Sequence, residues 1–234
     1  MSRPFIILAS SRKGTHLIET AISQHPDILS HGQMLSNIGK EYQVPESRAE
    51  LVARLFDGPL PVAVVSLAWG QANDPPTGLW DELRTRNVGV IYLHRRNMLR
   101  WYVSWRLAKA TGEWISSHSS TPPNIQIAVD PAICLAEIQA DWQREMESRE
   151  WFANQSSLHL WYEDITRNFD AEIARIQRFL EVQALCLRPT CYKQQTRPLS
   201  DVIANYAMLC EVWRGTPWEW FMRDDACPGV LPVC

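Results

Sequence analysis

Three short apolar runs, two of them followed by residues with helical spacing, constrain this chain more than any other feature. Residues 5–9 (FIILA), 61–67 (PVAVVSL) and 89–93 (GVIYL) are brief and almost wholly apolar, as strands covered on both faces must be. Residues 157–161 (SLHLW) supply a fourth strand. FIILA passes at once into the polar SSRKGT and then into Leu17, Ile18, Ala21 and Ile22, which reads strand, tight loop, helix, with Pro26 closing the helix. Ser47-x-x-Glu50 is a capping-box signature for a helix that buries Leu51, Val52, Leu55 and Phe56. GVIYL is followed by HRRN and by Met98, Trp101, Trp105 and Ala108 at three- and four-residue spacing, so the strand-loop-helix unit recurs.

Residues 111–129, rich in Ser, Thr and Pro, read as a surface loop or lid. Asp130-Pro131 then opens a helix through Leu135, Ile138, Trp142 and Met146. After SLHLW, Tyr162-Glu163-Asp164 leads to a helix with Ile173, Ile176, Phe179 and Leu180 inward, Asp164 serving as its cap. A last helix runs from about Leu199 through Val202, Tyr206, Leu209 and Trp213. Strands alternating with helices define an α/β fold, a parallel sheet flanked by helices. With no repeat or linker, residues 1–234 are expected to form a single domain.

Composition narrows the function. Lys plus Arg is 23 against Asp plus Glu 26, a net charge of −3, which removes the electrostatic footprint of a general nucleic-acid binder, so any anion site must be local. No run of 18 apolar residues exists, and the opening apolar run is too short and too soon broken by Arg12 and Lys13 for a signal peptide; a cytoplasmic protein is expected, with no membrane insertion. The six cysteines lack the spacing of a zinc site, so no metal is expected and free thiols are the default; Cys186 with Cys191, or Cys227 with Cys234, are the pairs an oxidising compartment would allow.

In a parallel α/β sheet ligands bind at the carboxyl ends of the strands, which directs attention to loops 10–16 and 94–97. In the first, Gly14 lets the backbone turn closely, the first amides of the next helix point outward, and Arg12, Lys13 and Thr15 add charge and a hydroxyl: a phosphate cradle. It is not a Walker A loop, since the only Gly-Lys pair, Gly39-Lys40, is followed by Glu41. In the second, Ser104 follows Arg96 by eight residues, about two helical turns. Together the loops suggest a ligand with phosphates at both ends of a nucleoside.

Here the chain resembles a family. FIILASSRKGTHLIETAISQHPDI is similar to the 5′-phosphosulfate loop of sulfotransferases that use 3′-phosphoadenosine 5′-phosphosulfate (PAPS), VIYLHRRNMLRWYVS resembles their 3′-phosphate motif, and LHLWYEDITRNFDAEIARIQRFLEV their Tyr-Glu-Asp strand-helix segment. The run PLSDVIANYAMLCEVWRGTPWEWF resembles the closing helix and Trp-rich tail of bacterial members, the nodulation-factor and natural-product sulfotransferases among them. The resemblance implies the P-loop-NTPase-like sulfotransferase fold, PAPS as sulfuryl donor, and transfer to a hydroxyl or amine of a small-molecule acceptor, as in natural-product tailoring. It implies that Arg12 stabilises the leaving oxygen, that Gly14, Thr15 and His16 lie on the 5′-phosphate side, that Arg96 and Ser104 hold the 3′-phosphate and that Tyr162 lies by the nucleoside.

The departures from the family pattern matter as much. Ser11 and Lys13 replace the loop's usual Pro and Ser, and His16 a small hydroxyl residue. Relatives often carry a Gly-Glu pair that supplies the base, where this chain reads Gly32-Gln33, and Gln cannot accept a proton at neutral pH. A lysine near the end of the relatives' second strand is missing from Val65-Ser66-Leu67, and Lys13 is expected to compensate. His31, His16 and Glu19 are the candidate bases, His31 foremost. The alternatives are a non-catalytic nucleotide-binding relative and a P-loop phosphotransferase or kinase, the latter opposed by the missing Walker A loop. Trp69 to Trp80, Trp101 with Trp105, and the loop around Trp114 either line an aromatic acceptor pocket, suited to a compact ring or a cation, or are core.

Overall fold

The computed structural model describes residues 2–33, 48–68, 78–114, 125–190 and 197–223. Among them the strands are β1 (Arg3–Ala9), β2 (Ile28–Ser30), β3 (Val62–Ala68), β4 (Gly89–His94) and β5 (Ser157–Trp161). The helices are α1 (Thr15–Ile22), α2 (Arg48–Phe56), α3 (Leu79–Thr85), α4 (Met98–Thr111), α5 (Pro131–Trp151), α6 (Tyr162–Arg167), α7 (Phe169–Phe179), α8 (Leu199–Val202) and α9 (Tyr206–Trp213), followed by a short 3-10 turn at Glu219–Met222. The residues group into two compact units, Met1–His94 with Gln143–Thr190, and Arg95–Trp142 with Cys191–Cys234.

The first unit holds one parallel sheet in the order β2-β3-β1-β4-β5. Side chains alternate across it, as the strand repeat requires. Ile6 and Leu8 of β1 pack with Ala63, Val65, Tyr92, the α2 residues Leu51, Val52, Leu55 and Phe56, and Trp80 of α3. Phe5, Ile7 and Ala9 pack on the other face with Ile18, Ala21 and Ile22 of α1 and Ile173 and Ile176 of α7. Both faces are thus covered, which is why these strands read as continuous apolar runs. The chain leaves β1 toward β2 on one side and β4 toward β5 on the other, so adjacent β1 and β4 form the point where a doubly wound sheet opens a crevice.

The second unit gathers Met98, Trp101 and Tyr102 of α4, Cys134 and Ile138 of α5, and Leu209, Trp213 and Phe221 from the C-terminal region. Asn97 caps α4, accepting from the Arg100 N–H at 2.9 Å, while its amide donates to the carbonyls of Phe221 and Arg223, both at 3.0 Å. Asp130 caps α5 by accepting from the N–H groups of Ala132 and Ile133.

Several sequence expectations are corrected. Ile28–Ser30 is a strand, too short to carry a periodic signal and defined by its pairing with Val62–Val64. Helix α1 ends at Ile22, four residues before Pro26. The single helix expected from Leu199 is two, because Ile203 turns extended to bridge Ile127 while the Asn205 amide is bound to both backbone groups of Val129. Met146 is exposed rather than inward. Asp164 lies in the first turn of the separate helix α6, and the cap of α7 is Asn168, which accepts from the Ala171 N–H. Ser47 and most of the 111–129 loop lie outside the described residues; Cys134, Cys186 and Cys210 are free thiols, and the other three cysteines also lie outside them.

Gly89, which opens β4 opposite Phe5, has room for nothing larger: a Cβ there would stand 2.4 Å from the Phe5 ring, whose far side packs edge-on against Phe179. Gly89→Ala is expected to lower unfolding free energy by about 1–3 kcal/mol, the usual cost of overpacking a filled core. A urea titration with an unchanged midpoint would show the ring free to move aside.

Candidate functional site

The cradle forms where buried β1 ends. Gly14 caps α1 at φ +96°, and no side chain among the described residues caps the helix, so its first-turn amides are available to an anion. Arg12, half-buried, also sits at positive φ (+69°), a conformation that a residue with a Cβ adopts only when its surroundings impose it. The Tyr162 ring covers Gly14 so closely that a Cβ would come within 2.7 Å of it. Two motifs separated by 148 positions in sequence, Gly14 and Tyr162, therefore meet at one point. Thr15, 4% exposed, accepts a 3.0 Å hydrogen bond from Gln33 Nε2, so the residue standing where relatives carry Glu is tied to the cradle hydroxyl. His16 Nδ1 lies 3.5 Å from Thr15 Oγ1 and 3.5 Å from Glu19 Oε2.

Lys13 goes elsewhere than expected of a charge meeting the transferred group. It is 1% exposed, and its ammonium donates to Glu145 Oε2 of α5 at 2.9 Å. Glu145 Oε1 stands 2.6 Å from His94 Nδ1, and His94 Nε2 lies 2.8 Å from His159 Nδ1. The two imidazoles are coplanar within 2°, the Tyr92 ring stacks on His159 at 4.8 Å, and Trp161 covers His94 at 4.7 Å. Burial alone would raise the Glu145 carboxyl, but Lys13 and His94 outweigh it and hold the carboxyl at about 2. Burial, and then the neighbouring His94, pull His159 down to about 4. Sequence reasoning missed this Lys13-Glu145-His94-His159 chain. Its one signal was a histidine inside each of two otherwise apolar strands; Glu145 sits on a helix whose polar face gives no hint of a buried partner.

His31 follows β2, and its Nε2 is 2.8 Å from the Leu55 carbonyl of α2. In the second unit, Arg96 lies two residues after the last residue of β4, and Ser104 lies on the buried side of α4 at 8% exposure. Trp80 stacks on Phe152 at 5.0 Å in the core rather than lining a pocket. Trp101 is buried and stacks on Trp105, which also has the Tyr102 ring at 6.0 Å and the Lys109 ammonium 3.9 Å from its ring centre; Trp114 is 43% exposed, and Trp69 lies outside the described residues.

No family model matches the sequence. Nodulation protein H of Rhizobium tropici is 29% identical over 238 residues, covering 95% of this chain and 94% of its own. Among solved structures, a sulfotransferase from Alicyclobacillus acidocaldarius superposes with a TM-score of 0.51 over 90% of this chain and 93% of its own, at 15% identity. The sulfotransferase domain from the curacin biosynthetic pathway gives 0.51 over 99% and 94%, at 13% identity. The fold is that of the sulfotransferases, a P-loop-NTPase-like parallel sheet flanked by helices, and the resemblance to that family carried by the sequence motifs is borne out. Nodulation protein H is a relative along nearly the whole chain.

The chain of buried groups makes stability depend on pH with a defined sign. His159 is held below its ordinary 6.5, so the unfolded chain binds its proton more readily; the contribution is complete above about 6.5 and lost as pH falls toward 4. Glu145, held below its ordinary 4.5, adds a further loss between about 4.5 and 2. The urea midpoint is expected to fall from pH 7 to pH 4, and His159→Gln to make that fall shallower. Equal pH slopes for the two proteins would remove His159 from the account.

Proposed function

We propose that this chain is a sulfotransferase, moving the sulfuryl group of PAPS to a hydroxyl or amine of a small-molecule acceptor and releasing 3′-phosphoadenosine 5′-phosphate. The observation that carries the reading is the Tyr162 ring on Gly14, which joins the phosphate loop to the Tyr-Glu-Asp segment that the resemblance implies lies by the nucleoside. The residues fit the donor: a glycine cradle that a Cβ would obstruct, a helix start without a side-chain cap among the described residues, and the Ser10 and Ser66 hydroxyls, buried at the ends of β1 and β3 with no hydrogen-bond partner among the described residues.

In this reading the residues 1–234 act as one sulfotransferase domain. Gly14, Thr15 and His16 take the 5′-phosphate side, Arg96 and Ser104 the 3′-phosphate, and Arg12 meets the negative charge that grows on the bridging oxygen as the sulfur–oxygen bond breaks. Positioning and fixed positive charge do most of the work in such a transfer, as in phosphoryl transfer. Lys13 acts through its ion pair, which holds the loop against α5. Full-length similarity to nodulation protein H supports the bacterial small-molecule type. Trp114, 43% exposed, and Trp105, which carries the Lys109 ammonium over its ring, are the aromatic contacts proposed for an acceptor. A cytoplasmic location agrees with the free thiols of Cys134, Cys186 and Cys210.

Two measurements test the reading. At about 100 times its dissociation constant, the bisphosphate product is expected to stabilise the chain by about 2.7 kcal/mol, and ATP far less; equal thermal shifts would defeat the assignment. Arg12→Ala is expected to lower PAPS turnover by about 10²–10³-fold with little change in product affinity, whereas Arg96→Ala and Ser104→Ala weaken that affinity. An Arg12→Ala effect confined to KM would place Arg12 in binding alone.

A further inference from the structure

Resting on that reading, we propose that Glu19 is the catalytic base, the group that takes the proton of the acceptor as sulfur is attacked. Glu19 is 7% exposed, an uncommon position for a carboxyl, and it stands one turn after Thr15 on the same buried side of α1. Side chains on a helix lean toward its N-terminus, and Oε2 lies back at 3.5 Å from His16 Nδ1, at the cradle end of the helix. Oε1 is buried without a hydrogen-bond partner among the described residues. Such an oxygen opposes folding, and a native chain that keeps one calls for a reason beyond stability.

The surroundings supply the reason. Ser66, 1% exposed, has a hydroxyl equally without partner among the described residues, and alternation along β3 puts it with Val62 and Val64 on the face that α1 covers. Its N–H donates to the Gly32 carbonyl at 2.9 Å, tying the end of β3 to the segment that carries Gln33, and Gln33 donates to Thr15. Thr15, Glu19, Gln33 and Ser66 thus belong to one corner, at the carboxyl ends of β1 and β3 on the α1 side. The other candidate bases are less well placed. Gln33 cannot accept the proton. His31 is drawn to Leu55, whose side chain packs in the cluster on the opposite sheet face. His16 touches both Thr15 and Glu19, which makes it a positioning residue for the carboxyl.

The step balances without any further reactant. A lone pair of the acceptor oxygen forms the new bond to sulfur, the bond from sulfur to the bridging oxygen breaks with its electron pair leaving on the bisphosphate, and the acceptor proton passes to Glu19 Oε1. With water as acceptor the products are hydrogen sulfate and 3′-phosphoadenosine 5′-phosphate.

The test uses the full chain, radiolabelled PAPS and water as acceptor, with release of labelled sulfate followed alongside the thermal shift given by the bisphosphate product. Glu19→Gln is expected to melt higher than the wild type, to keep the product-induced shift, and to release sulfate about 10²–10⁴-fold more slowly; Glu19→Asp restores part of the rate. Sulfate release at the wild-type rate by Glu19→Gln overturns the proposal, and so does loss of the product-induced shift in that variant. A wild-type chain that binds the bisphosphate yet releases no sulfate overturns the transferase reading itself, and the base with it.

Discussion

The confinement of β1 governs everything built at its end. It is hydrogen-bonded to β3 along its whole length and to β4 over Phe5–Leu8, and its residues from Phe5 to Ala9 are buried on both faces. A strand held in this way cannot shift register without exposing one apolar set and burying another. The loop it launches is therefore delivered to a fixed place, and only a chain fixed on both sides can hold Arg12 and Gly14 in left-handed conformations. The cradle is the consequence of a rigid strand meeting a helix start with no side-chain cap.

Beside that cradle lies a polar chain that is costly to bury. Lys13, Glu145 and His94 leave water together, and breaking such a set from one end would strand a charge in the interior, at a cost of several kcal/mol. Its benefit is geometric. An ammonium anchored by α5 fixes the loop residue next to Gly14, while the aromatic rings of Tyr92 and Trp161 close the histidines off on either side. A charge that elsewhere would meet a ligand here stiffens the backbone that meets it.

The opposite corner carries the contrary economy of contacts. Glu19 of α1 and Ser66 of β3 are buried with oxygen atoms that no group among the described residues satisfies, beside strands whose interior positions are almost all apolar. A fold that leaves these oxygens unsatisfied at the carboxyl end of its strands and pairs Lys13 with Glu145 separates support from chemistry: Lys13 steadies the loop, and Thr15, Glu19, Gln33 and Ser66 form the corner proposed for catalysis.

The sequence by itself determined the parallel α/β sheet, four of its strands and the helices α1, α2, α4, α5 and α7, because these depend on local periodicity, and it marked Gly14 as the glycine that the tight turn after β1 requires. It also marked Tyr162 through its motif. Tertiary structure alone decided the rest. The three-residue strand Ile28–Ser30 exists because β3 offers it partners; the last helix breaks because Ile203 pairs with Ile127; and Asn168, not Asp164, caps α7. Lys13 faces Glu145 across 132 positions of sequence, and Trp80 became core by meeting Phe152. A single residue carries no record of its partner at that distance: charge and aromaticity are visible in the sequence, but whether they face a ligand or one another is settled only when the sheet brings its strand ends together.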